Sequence, residues 1–478
     1  MELTQGSLFE PAPQDLNHEE LFAQLFSPNA LEAAFREKFA TTTGKGIDRL
    51  NGFQFGRNSR IELATASEKI LASSFRFTPY LEVLRPKSRD KQPRLIGIPS
   101  VRDRVVMSQL NKFLAFTFPE RVPKNLASIY VRDISGDLKL CAMDATWVCS
   151  TDIRTFYDDI GQGRLLKLLR KKISCEAAIR LVGHAIATPT VPKNCRRSRH
   201  KVYASNGVPQ GLAISNILAS IYMKDVDDDM KNVGVKYYRY VDDVLMYGGE
   251  ESVRKAFASL RSRLSYRGLK LHAEGSGKTH IQPLTKPFGY LGYTFDMPVI
   301  SVRDSTVERF LQTIAAKFSD YRHNKSKRLE RLQYLNEERL NDIFMLELND
   351  RITGAISERR RYGWIAYFSQ ITDLTLLHKL DDAIAGMFLR LPEFGGKAPQ
   401  NLKQLKRAYH EIKYRPLGGY ARNYDIIDTI AQKLQFLIER GRVGESEAIT
   451  DLQVSERFDR YRRKNLATMH ADEGRLYG

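Results

Sequence analysis

Two adjacent aspartates interrupt an apolar and aromatic stretch, YYRYVDDVLMYG (237–248), and this feature constrains the fold most. Burying an ionised carboxylate without a partner costs several kcal/mol, and Asp242 and Asp243 also repel each other. The simpler explanation is a β-turn, because Asp is a common turn residue. Tight hairpins favour Asn-Gly or Asp-Gly instead, so the pair taken alone leaves a structural turn and a functional site equally open.

A third aspartate, Asp152, stands at the end of a second β-rich segment, WVCSTDI (147–153). If the two segments are neighbouring strands of one sheet, three carboxylates meet at their ends. Such a group is stable only beside hard cations, and Mg²⁺ is the usual cation of phosphate chemistry. Two ions can activate an attacking hydroxyl and stabilise a leaving pyrophosphate. The pattern therefore predicts a metal site at Asp152, Asp242 and Asp243.

The charge balance indicates a polyanionic partner. There are 75 Lys and Arg against 56 Asp and Glu among 478 residues, a formal charge of +19. A surplus of this size is typical of nucleic-acid-binding proteins, although an inert basic surface is the alternative. The cations concentrate in three runs, at 193–201, 322–332 and 403–415, whereas 1–35 contain none. The runs are expected to line a groove for nucleic acid unless they are solvated helix faces.

Length and cysteine usage set broader limits. A chain of 478 residues is expected to form two to four subdomains. Its four cysteines form no C-x-x-C pair, which favours reduced thiols and a cytoplasmic location. We expect no membrane span and no signal peptide, because no apolar run approaches 18 residues and the N-terminus lacks a basic start.

Two further segments offer groups that suit a nucleotide. Lys87 and Arg94 flank a predicted turn between two strands in 80–100, where both could clamp a triphosphate. Each is equally well explained as a surface cation. The segment NGVPQGLAISN (206–216) has glycines that permit close backbone approach, and Gln210 offers both a donor and an acceptor. An ordinary loop-to-helix junction is the alternative.

Periodicity and turn residues give a coarse secondary structure. Helices are predicted over 13–40, with Asn17 as a cap, and over 101–118, 161–171, 176–187, 211–230 and 250–267. Strands are predicted at 147–153, on both sides of Asp242, and as a hairpin over 288–295. From about 305 onward the chain is predicted to be mostly helical, including one helix over 327–348.

Taken in order, these segments resemble the motifs of bacterial reverse transcriptases of the group II intron-like lineage. The finger motif is LRPKSRDKQPRLIGIPSVRDRVV, and the palm motifs are STDIRTFYDDI, GVPQGLAISNILASIYM and YVDD. LSYRGLKLHAEGSGKTHI, with Lys278, and FGYLGYTF resemble the next motif and the primer-grip hairpin. RYGWIAYFSQ (361–370) is similar to the G-W-x-x-Y-F segment of the maturase thumb.

The resemblance implies a role for each matching residue. Asp152, Asp242 and Asp243 would hold two Mg²⁺ ions, or Mn²⁺ in their place, together with the backbone carbonyl of Ile153. Tyr157 would exclude a ribose 2′-hydroxyl, unless it is a core aromatic. The other expected nucleotide contacts are Lys87, Arg94, Ile153, Phe156 and Gln210. The expected primer and template contacts are Tyr240, Phe288, Gly289, Tyr290, Leu291 and Gly292.

The fold implied is α+β, a right-hand polymerase with fingers, an antiparallel palm sheet backed by helices, and a helical thumb. The expected boundaries are an N-terminal helical extension with the start of the fingers (1–79), fingers and palm (80–300), a maturase-like thumb (301–400) and a basic helical region (401–478). The resemblance implies an RNA-directed DNA polymerase, which is a nucleotidyltransferase.

Departures from the pattern refine the expected biology. Ser215-Asn216 replaces the usual Ser-Pro, and Ser220 stands where the motif has Asn. No His- and Cys-rich nuclease segment follows. These features resemble reverse transcriptases of phage defence and abortive infection, which implies dNTP substrates, a DNA product and a dedicated non-coding RNA. The alternatives are an intron maturase that assists splicing and a non-catalytic RNA scaffold. Self-association, and priming by a tyrosine such as Tyr461 or Tyr477, are left open.

Overall fold

The chain divides into two units, each with its own elements. The structure is a computed structural model that describes residues 17–85, 93–122, 127–196, 198, 202–416 and 418–472. Within these ranges the first unit comprises 17–122 and 144–283, and the second comprises 127–143 and 284–472. No helix in these ranges is long and apolar enough to cross a bilayer.

Helices and strands are interspersed along the whole chain. The helices are α1 (His18–Leu25), α2 (Pro28–Lys38), α3 (Gly52–Gly56), α4 (Ser59–Leu71), α5 (Val101–Thr117), α6 (Ala127–Leu138), α7 (Gln162–Arg170), α8 (Glu176–Ala187), α9 (Ser215–Tyr222), α10 (Lys224–Met230), α11 (Glu250–Tyr266), α12 (Asp304–Arg331), α13 (Glu337–Thr353), α14 (Trp364–Tyr367), α15 (Leu374–Gly386), α16 (Leu405–Tyr414), α17 (Ile430–Glu439) and α18 (Asp451–Asp472). The strands are β1 (Tyr80–Arg85), β2 (Arg94–Ile98), β3 (Trp147–Arg154), β4 (Thr190–Val191), β5 (Lys236–Tyr240), β6 (Asp243–Gly248), β7 (Lys270–Leu271), β8 (His280–Pro283), β9 (Phe288–Tyr290), β10 (Tyr293–Asp296), β11 (Val299–Val302), β12 (Ala355–Ser357), β13 (Arg360–Tyr362) and β14 (Arg422–Asn423).

The first unit is built around an antiparallel sheet of five strands. The strand order is β5-β6-β3-β7, and β8 also pairs with β3. Apolar residues of β3 and β6, such as Cys149, Val244 and Met246, are buried in one core with Leu218 of α9 and Leu260 of α11. Each such side chain gains about 1.5–3 kcal/mol on burial. The helices therefore cover one face of the sheet and fix its strands.

A smaller sheet carries the predicted finger strands. β1 and β2 form an antiparallel hairpin, with Leu81 opposite Ile98, and β4 lies parallel to β1 on its other side. The sequence RPKSRDKQPRL joins the two strands; most of this basic turn, including Lys87, lies outside the described residues.

The second unit is mainly helical but contains two small sheets. One orders its strands β11-β10-β9 and the other β13-β12-β14. Aromatic side chains pack together between α12, α13 and the following turns, where Phe318 lies 5.2 Å from Phe344 and 5.0 Å from Phe388, measured between ring centroids. A second core lies around Phe436, Leu437 and Phe458 of α17 and α18.

These observations confirm the predicted α+β class, with an antiparallel sheet backed by helices and a helical later part. Several predicted helices were wrong in detail. The helix over 13–40 is broken at Ser27-Pro28, although the Asn17 cap is confirmed. The segment predicted as one helix over 211–230 forms two helices, and the first of them begins only at Ser215. The helix over 327–348 stops at Arg331 and restarts after Asn336, whose side chain accepts a hydrogen bond from Arg339 N at 2.7 Å.

Candidate active site

The backbone of the central sheet joins the two acidic segments. β3 and β6 pair antiparallel with Asp152 directly opposite Asp243. Beyond the last ladder pair, the Ile153 N–H donates to the Asp242 carbonyl at 3.0 Å. The two strand ends therefore meet as predicted. Hydrogen bonds between the strands fix the backbone positions of the acids.

The hairpin that carries Asp242 is tightly bent. Tyr240 pairs with Asp243, which leaves only Val241 and Asp242 in the turn. Val241 has φ of 57°, in the left-handed region that β-branched residues rarely adopt. Surrounding contacts must therefore stabilise this turn, because such a conformation costs about 1–3 kcal/mol.

One such contact comes from Arg239, which the sequence motifs do not single out. Its guanidinium donates from Nη1 to the Val241 carbonyl at 2.7 Å. The same group donates from Nε to Asp227 Oδ1 at 2.6 Å and from Nη2 to Asp227 Oδ2 at 2.5 Å. The side chains of Arg239 and Asp227 are only 9% and 11% exposed. Tyr237 adds a hydrogen bond to Asp227 at 3.1 Å. The strained turn is thus tied to α10 behind the sheet.

The carboxylates in the turn are held at an electrostatic cost. Burial, and then the negative charge of Asp152, raise the pKa of Asp242 to about 6, against opposing effects of Arg94 and Lys278. Lys278 Nζ lies 2.7 Å from Asp152 Oδ2, and His272 Nε2 lies 3.9 Å from the same oxygen. The other oxygen, Asp152 Oδ1, is buried and has no hydrogen-bond partner among the described residues.

These groups suit a hard divalent cation. Asp152 Oδ1 is a buried anionic oxygen that receives no hydrogen bond from the described groups, and Asp242 supplies a second carboxylate close to it. The expected cluster of three is not present as such, because no three His, Cys, Asp or Glu side chains converge as a metal-binding group in the described parts of the chain. Asp242 lies in the hairpin turn, whereas Asp243 is the first residue of β6, so the two neighbouring acids belong to different backbone elements.

A cavity of about 490 Å³ lies in the same unit. Its lining includes Tyr157, Gln210, Ser215 and Asn216. The Tyr157 hydroxyl donates to Asn216 Oδ1 at 2.5 Å. Burial, followed by the charge of Asp242, raises the pKa of Tyr157 well above its usual value. Tyr157 therefore lies close to the acidic turn and also forms part of the cavity wall.

The loop before α9 is fixed by backbone hydrogen bonds on both sides. Val208 N donates to Tyr157 O at 2.8 Å, and Gly97 N donates to Gln210 O at 2.8 Å. At Gly211, φ is +98°, and a Cβ would lie 2.6 Å from Ile96 Cγ2. Only glycine fits this approach. The glycine in the Pro-Gln-Gly pattern thus lets the Gln210 loop dock against β2.

Comparison with known proteins agrees with this arrangement. Residues 85–295 match the sequence profile of the family described as "Reverse transcriptase (RNA-dependent DNA polymerase)". The chain contains a reverse transcriptase domain. Protein YkfC of Escherichia coli is 26% identical over 192 residues, which cover 38% of this chain and 49% of that protein. The group II intron-encoded protein LtrA of Lactococcus lactis is 22% identical over 341 residues, which cover 64% of this chain and 52% of LtrA.

A third relative is the uncharacterized 91 kDa protein in the cob intron of Schizosaccharomyces pombe, 30% identical over 201 residues. That match covers 40% of this chain and 23% of the relative. The chain thus spans about half or less of the length of these three proteins. Among solved structures, apo telomerase from Candida tropicalis gives a TM-score of 0.39 at 16% identity, covering 48% of this chain and 55% of that one. A similarity at that level carries no functional argument.

Within the reverse transcriptase domain, two adjacent aromatic residues that were predicted to contact the nucleotide have different surroundings. Phe156 is 3% exposed and belongs to the apolar core, whereas Tyr157 lines the cavity. The adjacent Thr155 has φ of 42°, so the chain turns sharply and the two aromatic rings take different surroundings. Arg94 begins β2 and acts electrostatically on both Asp242 and Tyr157. Lys87 lies outside the described residues.

The expected primer-grip hairpin belongs to the second unit. Phe288 to Tyr290 form β9 and pair with β10, while Leu291 and Gly292 form the turn between them with φ of 50° and 81°. Phe288, Tyr290 and Leu291 are buried in that unit. The predicted primer contacts at Tyr240 and Phe288–Gly292 remain predictions.

The basic runs differ in how their cations are paired. In 322–332, Lys325 lies 3.0 Å from Glu337 and 3.2 Å from Glu393, and Arg328 is paired with Asp320. In 403–415, α16 and the residue after it expose one side, whose members are Lys406, Arg407, His410, Lys413, Tyr414 and Arg415. The run at 193–201 lies partly outside the described residues.

Of the two tyrosines named as possible primers, Tyr461 packs against Phe436 at 5.3 Å between centroids and is only partly exposed. Tyr477 lies outside the described residues.

Proposed function

We propose that this protein is an RNA-directed DNA polymerase that extends a primer with deoxynucleotides by metal-dependent nucleotidyl transfer. The observation that carries the proposal is the pair Asp152 and Asp242, joined through the Ile153–Asp242 hydrogen bond of 3.0 Å despite their mutual repulsion. Like charges held together in a buried site lower stability, so a catalytic role explains them better than a structural one.

The chain's own residues account for the groups that the reaction needs. Asp152, through Oδ1, and Asp242 would hold divalent cations, with Asp243 and the Ile153 carbonyl as further ligands; we expect two Mg²⁺ ions, replaceable by Mn²⁺. Bound cations of this kind lower the pKa of an attacking hydroxyl and stabilise a leaving pyrophosphate. Lys278, 2.7 Å from Asp152, places a positive charge beside the same carboxylates.

The cavity explains how a nucleotide would be oriented. Its volume of about 490 Å³ fits a nucleotide-sized ligand. Gln210 supplies a donor and an acceptor, and the Tyr157 ring forms a wall where a 2′-hydroxyl would clash. Arg94, with Lys87, would neutralise the triphosphate. Orientation by such fixed groups contributes to rate because it removes the entropy of alignment.

We further propose that the enzyme copies a dedicated non-coding RNA into DNA during antiphage defence, in the cytoplasm. The formal charge of +19 and the exposed cations of α16 support an RNA partner. A second candidate is an intron maturase that assists RNA splicing, which the similarity to the group II intron-encoded protein LtrA favours. A non-catalytic scaffold leaves the Asp152–Asp242 pair without an explanation.

Primer extension tests the catalytic proposal. Purified protein, Mg²⁺, dNTPs and an RNA template with an annealed DNA primer should give a product that EDTA prevents. Asp242→Asn/Asp243→Asn should give none. If the wild type gave as little product as this variant under all templates tested, the polymerase proposal would be wrong.

Two further measurements separate the biological roles. Copurifying nucleic acid should contain one predominant RNA and its complementary DNA if the defence proposal holds, and phage plating on cells with wild-type protein should fall relative to cells with Asp242→Asn/Asp243→Asn. Accelerated splicing of a group II intron transcript by both proteins alike would favour the maturase instead.

A further inference from the structure

Asn216 is the second residue of α9 and departs from the Ser-Pro pattern that the surrounding motif resembles. Its neighbour Ser215 is buried and donates from Oγ to the Pro209 carbonyl at 2.6 Å. Asn216 itself is exposed and lines the cavity together with Tyr157 and Gln210. The start of α9 is therefore anchored through Ser215, while the next side chain is directed to the cavity.

The side chain of Asn216 is the hydrogen-bond acceptor for Tyr157. The distance from the Tyr157 hydroxyl to Asn216 Oδ1 is 2.5 Å, across 59 residues of sequence. The Tyr157 backbone is fixed as well, because its carbonyl accepts from Val208 N at 2.8 Å. Both ends of this tyrosine are thus tied to the segment 208–216, and its side chain cannot change its χ1 rotamer without breaking the bond to Asn216.

A fixed ring matters for choosing between two similar sugars. A hydrophobic pocket alone discriminates weakly against a ligand that adds one hydroxyl. Exclusion of a ribonucleotide requires a side chain that keeps its position when the 2′-hydroxyl approaches. A tyrosine held at its backbone alone can move away by rotating about its side-chain torsions. The bond to Asn216 opposes that rotation, and a proline at position 216 would have no side-chain acceptor to offer.

We propose that Asn216 is a specificity-determining positioning residue, which holds the Tyr157 ring against the cavity so that nucleotides with a 2′-hydroxyl are excluded. This inference rests on the proposed polymerase function and adds to it the residue that sets sugar selectivity. The ligand class it concerns is a nucleoside triphosphate, and the discriminated group is the ribose 2′-hydroxyl.

The experiment compares Tyr157→Phe, Asn216→Ala and their combination. Each removes one partner of the bond and keeps an aromatic ring at position 157, and kcat/KM is measured for dGTP and for GTP in primer extension. The preference for dGTP should fall about three- to tenfold in either single variant, as expected for loss of one hydrogen bond. The double variant should lose no more than a single one, because both act through the same hydrogen bond.

A binding measurement keeps the inference testable without turnover. Competition of dGTP and GTP against a fluorescent dNTP, in the presence of Mg²⁺, gives the ratio of Kd values for the same proteins. Tyr266→Phe is the matched control, because Tyr266 is 79% exposed and lies outside the cavity lining. Its ratio should equal that of the wild type.

The outcomes separate the two proposals. Normal incorporation with unchanged sugar preference in Tyr157→Phe and Asn216→Ala overturns the role of Asn216 and leaves the polymerase intact. Absent incorporation by the wild type, with a Kd ratio that both variants reduce, overturns the polymerase and retains the role of Asn216 in nucleotide selection. If the wild type neither incorporates nor distinguishes the two nucleotides, both proposals are wrong.

Discussion

Buried charges occur in both units of this protein, but the acidic pair of the candidate site in the first unit differs in sign from two ion pairs of the second. In the first unit, Asp152 and Asp242 have the same sign, and the charge of one raises the pKa of the other. In the second unit, Arg440 lies 2.8 Å from Asp350 and Arg351 lies 2.5 Å from Asp472, with every side chain at most 7% exposed. Opposite charges joined in this way link α13 to α17 and α18.

The difference separates ion pairs that stabilise the fold from like charges for which we propose a role in the reaction. A buried pair of opposite sign compensates part of its own desolvation, and removing one partner leaves an uncompensated charge. A pair of like sign gains nothing from proximity and persists only because the sheet and the Arg239 hydrogen bonds hold it. Substitutions should therefore have opposite consequences in the two units.

The largest expected effect is on catalysis in the first unit. Asp242→Asn keeps the shape of the side chain but removes one carboxylate, so single-turnover primer extension should slow by about 10³-fold or more, the upper range for loss of one strong electrostatic interaction. Asp152→Asn should behave alike. Asp144→Asn, an exposed acid with no ion pair among the described residues, is the control. A decrease of less than tenfold in Asp242→Asn would remove this acid from the catalytic site.

The next effect is on stability in the second unit. Arg440→Met leaves Asp350 buried and unpaired, and the free energy of unfolding should fall by about 3–5 kcal/mol in urea or thermal denaturation. Adding Asp350→Leu should recover most of this decrease. The exposed pair Arg457–Glu447, 2.8 Å apart and 35% and 36% exposed, provides the control, since Arg457→Met should cost less than about 1 kcal/mol. Equal costs at both pairs would contradict a structural role for burial.

Removing a like charge should have the reverse effect on stability. The pKa of Asp242 is raised to about 6 from an ordinary value of 3.8. The folded protein thus holds this proton more tightly than the unfolded chain, and above pH 6 the ionised acid lowers stability. In EDTA, Asp242→Asn should therefore unfold at a higher temperature than the wild type. Above pH 6 its free energy of unfolding should be larger by up to about 3 kcal/mol.

The pH dependence gives that prediction its sign. The advantage of Asp242→Asn should shrink as pH falls from 6 to 4 and vanish near pH 3.8 and below, where both folded and unfolded wild type are protonated. Unfolding temperatures of both proteins across this range provide the measurement. An advantage that is independent of pH would mean that the ionised, buried carboxylate of Asp242 is not its cause.

A smaller effect is expected from the residue that supports the hairpin turn carrying Asp242. Arg239→Lys keeps the charge but cannot bond Asp227 and the Val241 carbonyl together, so kcat should fall about tenfold while KM for template–primer stays unchanged. The apparent Mg²⁺ requirement should rise with it, which a purely structural defect would not produce. Unchanged kcat and Mg²⁺ requirement would show that the turn holds Asp242 without Arg239.

The sequence was sufficient for parts of the site that depend on local pattern. The strand ends at Asp152 and the hairpin at Asp242 follow from apolar runs and turn positions, and the Gln210 loop follows from its glycines. The pairing of Arg239 with Asp227 was missed because it depends on how α10 docks behind the sheet. Phe156 and Tyr157 were both included among the nucleotide contacts, because the sharp bend at Thr155, which gives them different surroundings, is not visible in the sequence.

In the later part of the chain, the prediction of a mostly helical region is confirmed, but three short strands were not predicted. β12, β13 and β14 have three, three and two residues, too few to show a period against the helical pattern around them. Their pairing, such as Ala355 opposite both Tyr362 and Arg422, depends on tertiary packing. The break between α12 and α13 was missed because the residues on both sides continue a helical composition.

The smallest expected effect concerns exposed charges of α16 that form no ion pair with another described residue. Arg407 lies 4.6 Å above the Tyr420 ring and Lys413 lies 4.8 Å above the Tyr409 ring, so both are ordered at the surface of α16 together with Lys406. If they bind phosphates, Lys406→Gln/Arg407→Gln/Lys413→Gln should reduce the slope of log K for RNA against log salt by about 0.7–0.9 for each phosphate that is no longer neutralised. Folding stability should change by less than about 0.5 kcal/mol.

Arg57→Gln/Arg60→Gln/Lys69→Gln removes the same charge from exposed positions of the first unit and is the control. If both triple variants lower the slope equally, net charge rather than the α16 face determines RNA binding. If only the α16 variant lowers it, the charges of this face serve RNA binding, unlike the ion pairs of the fold and the acids of the candidate site.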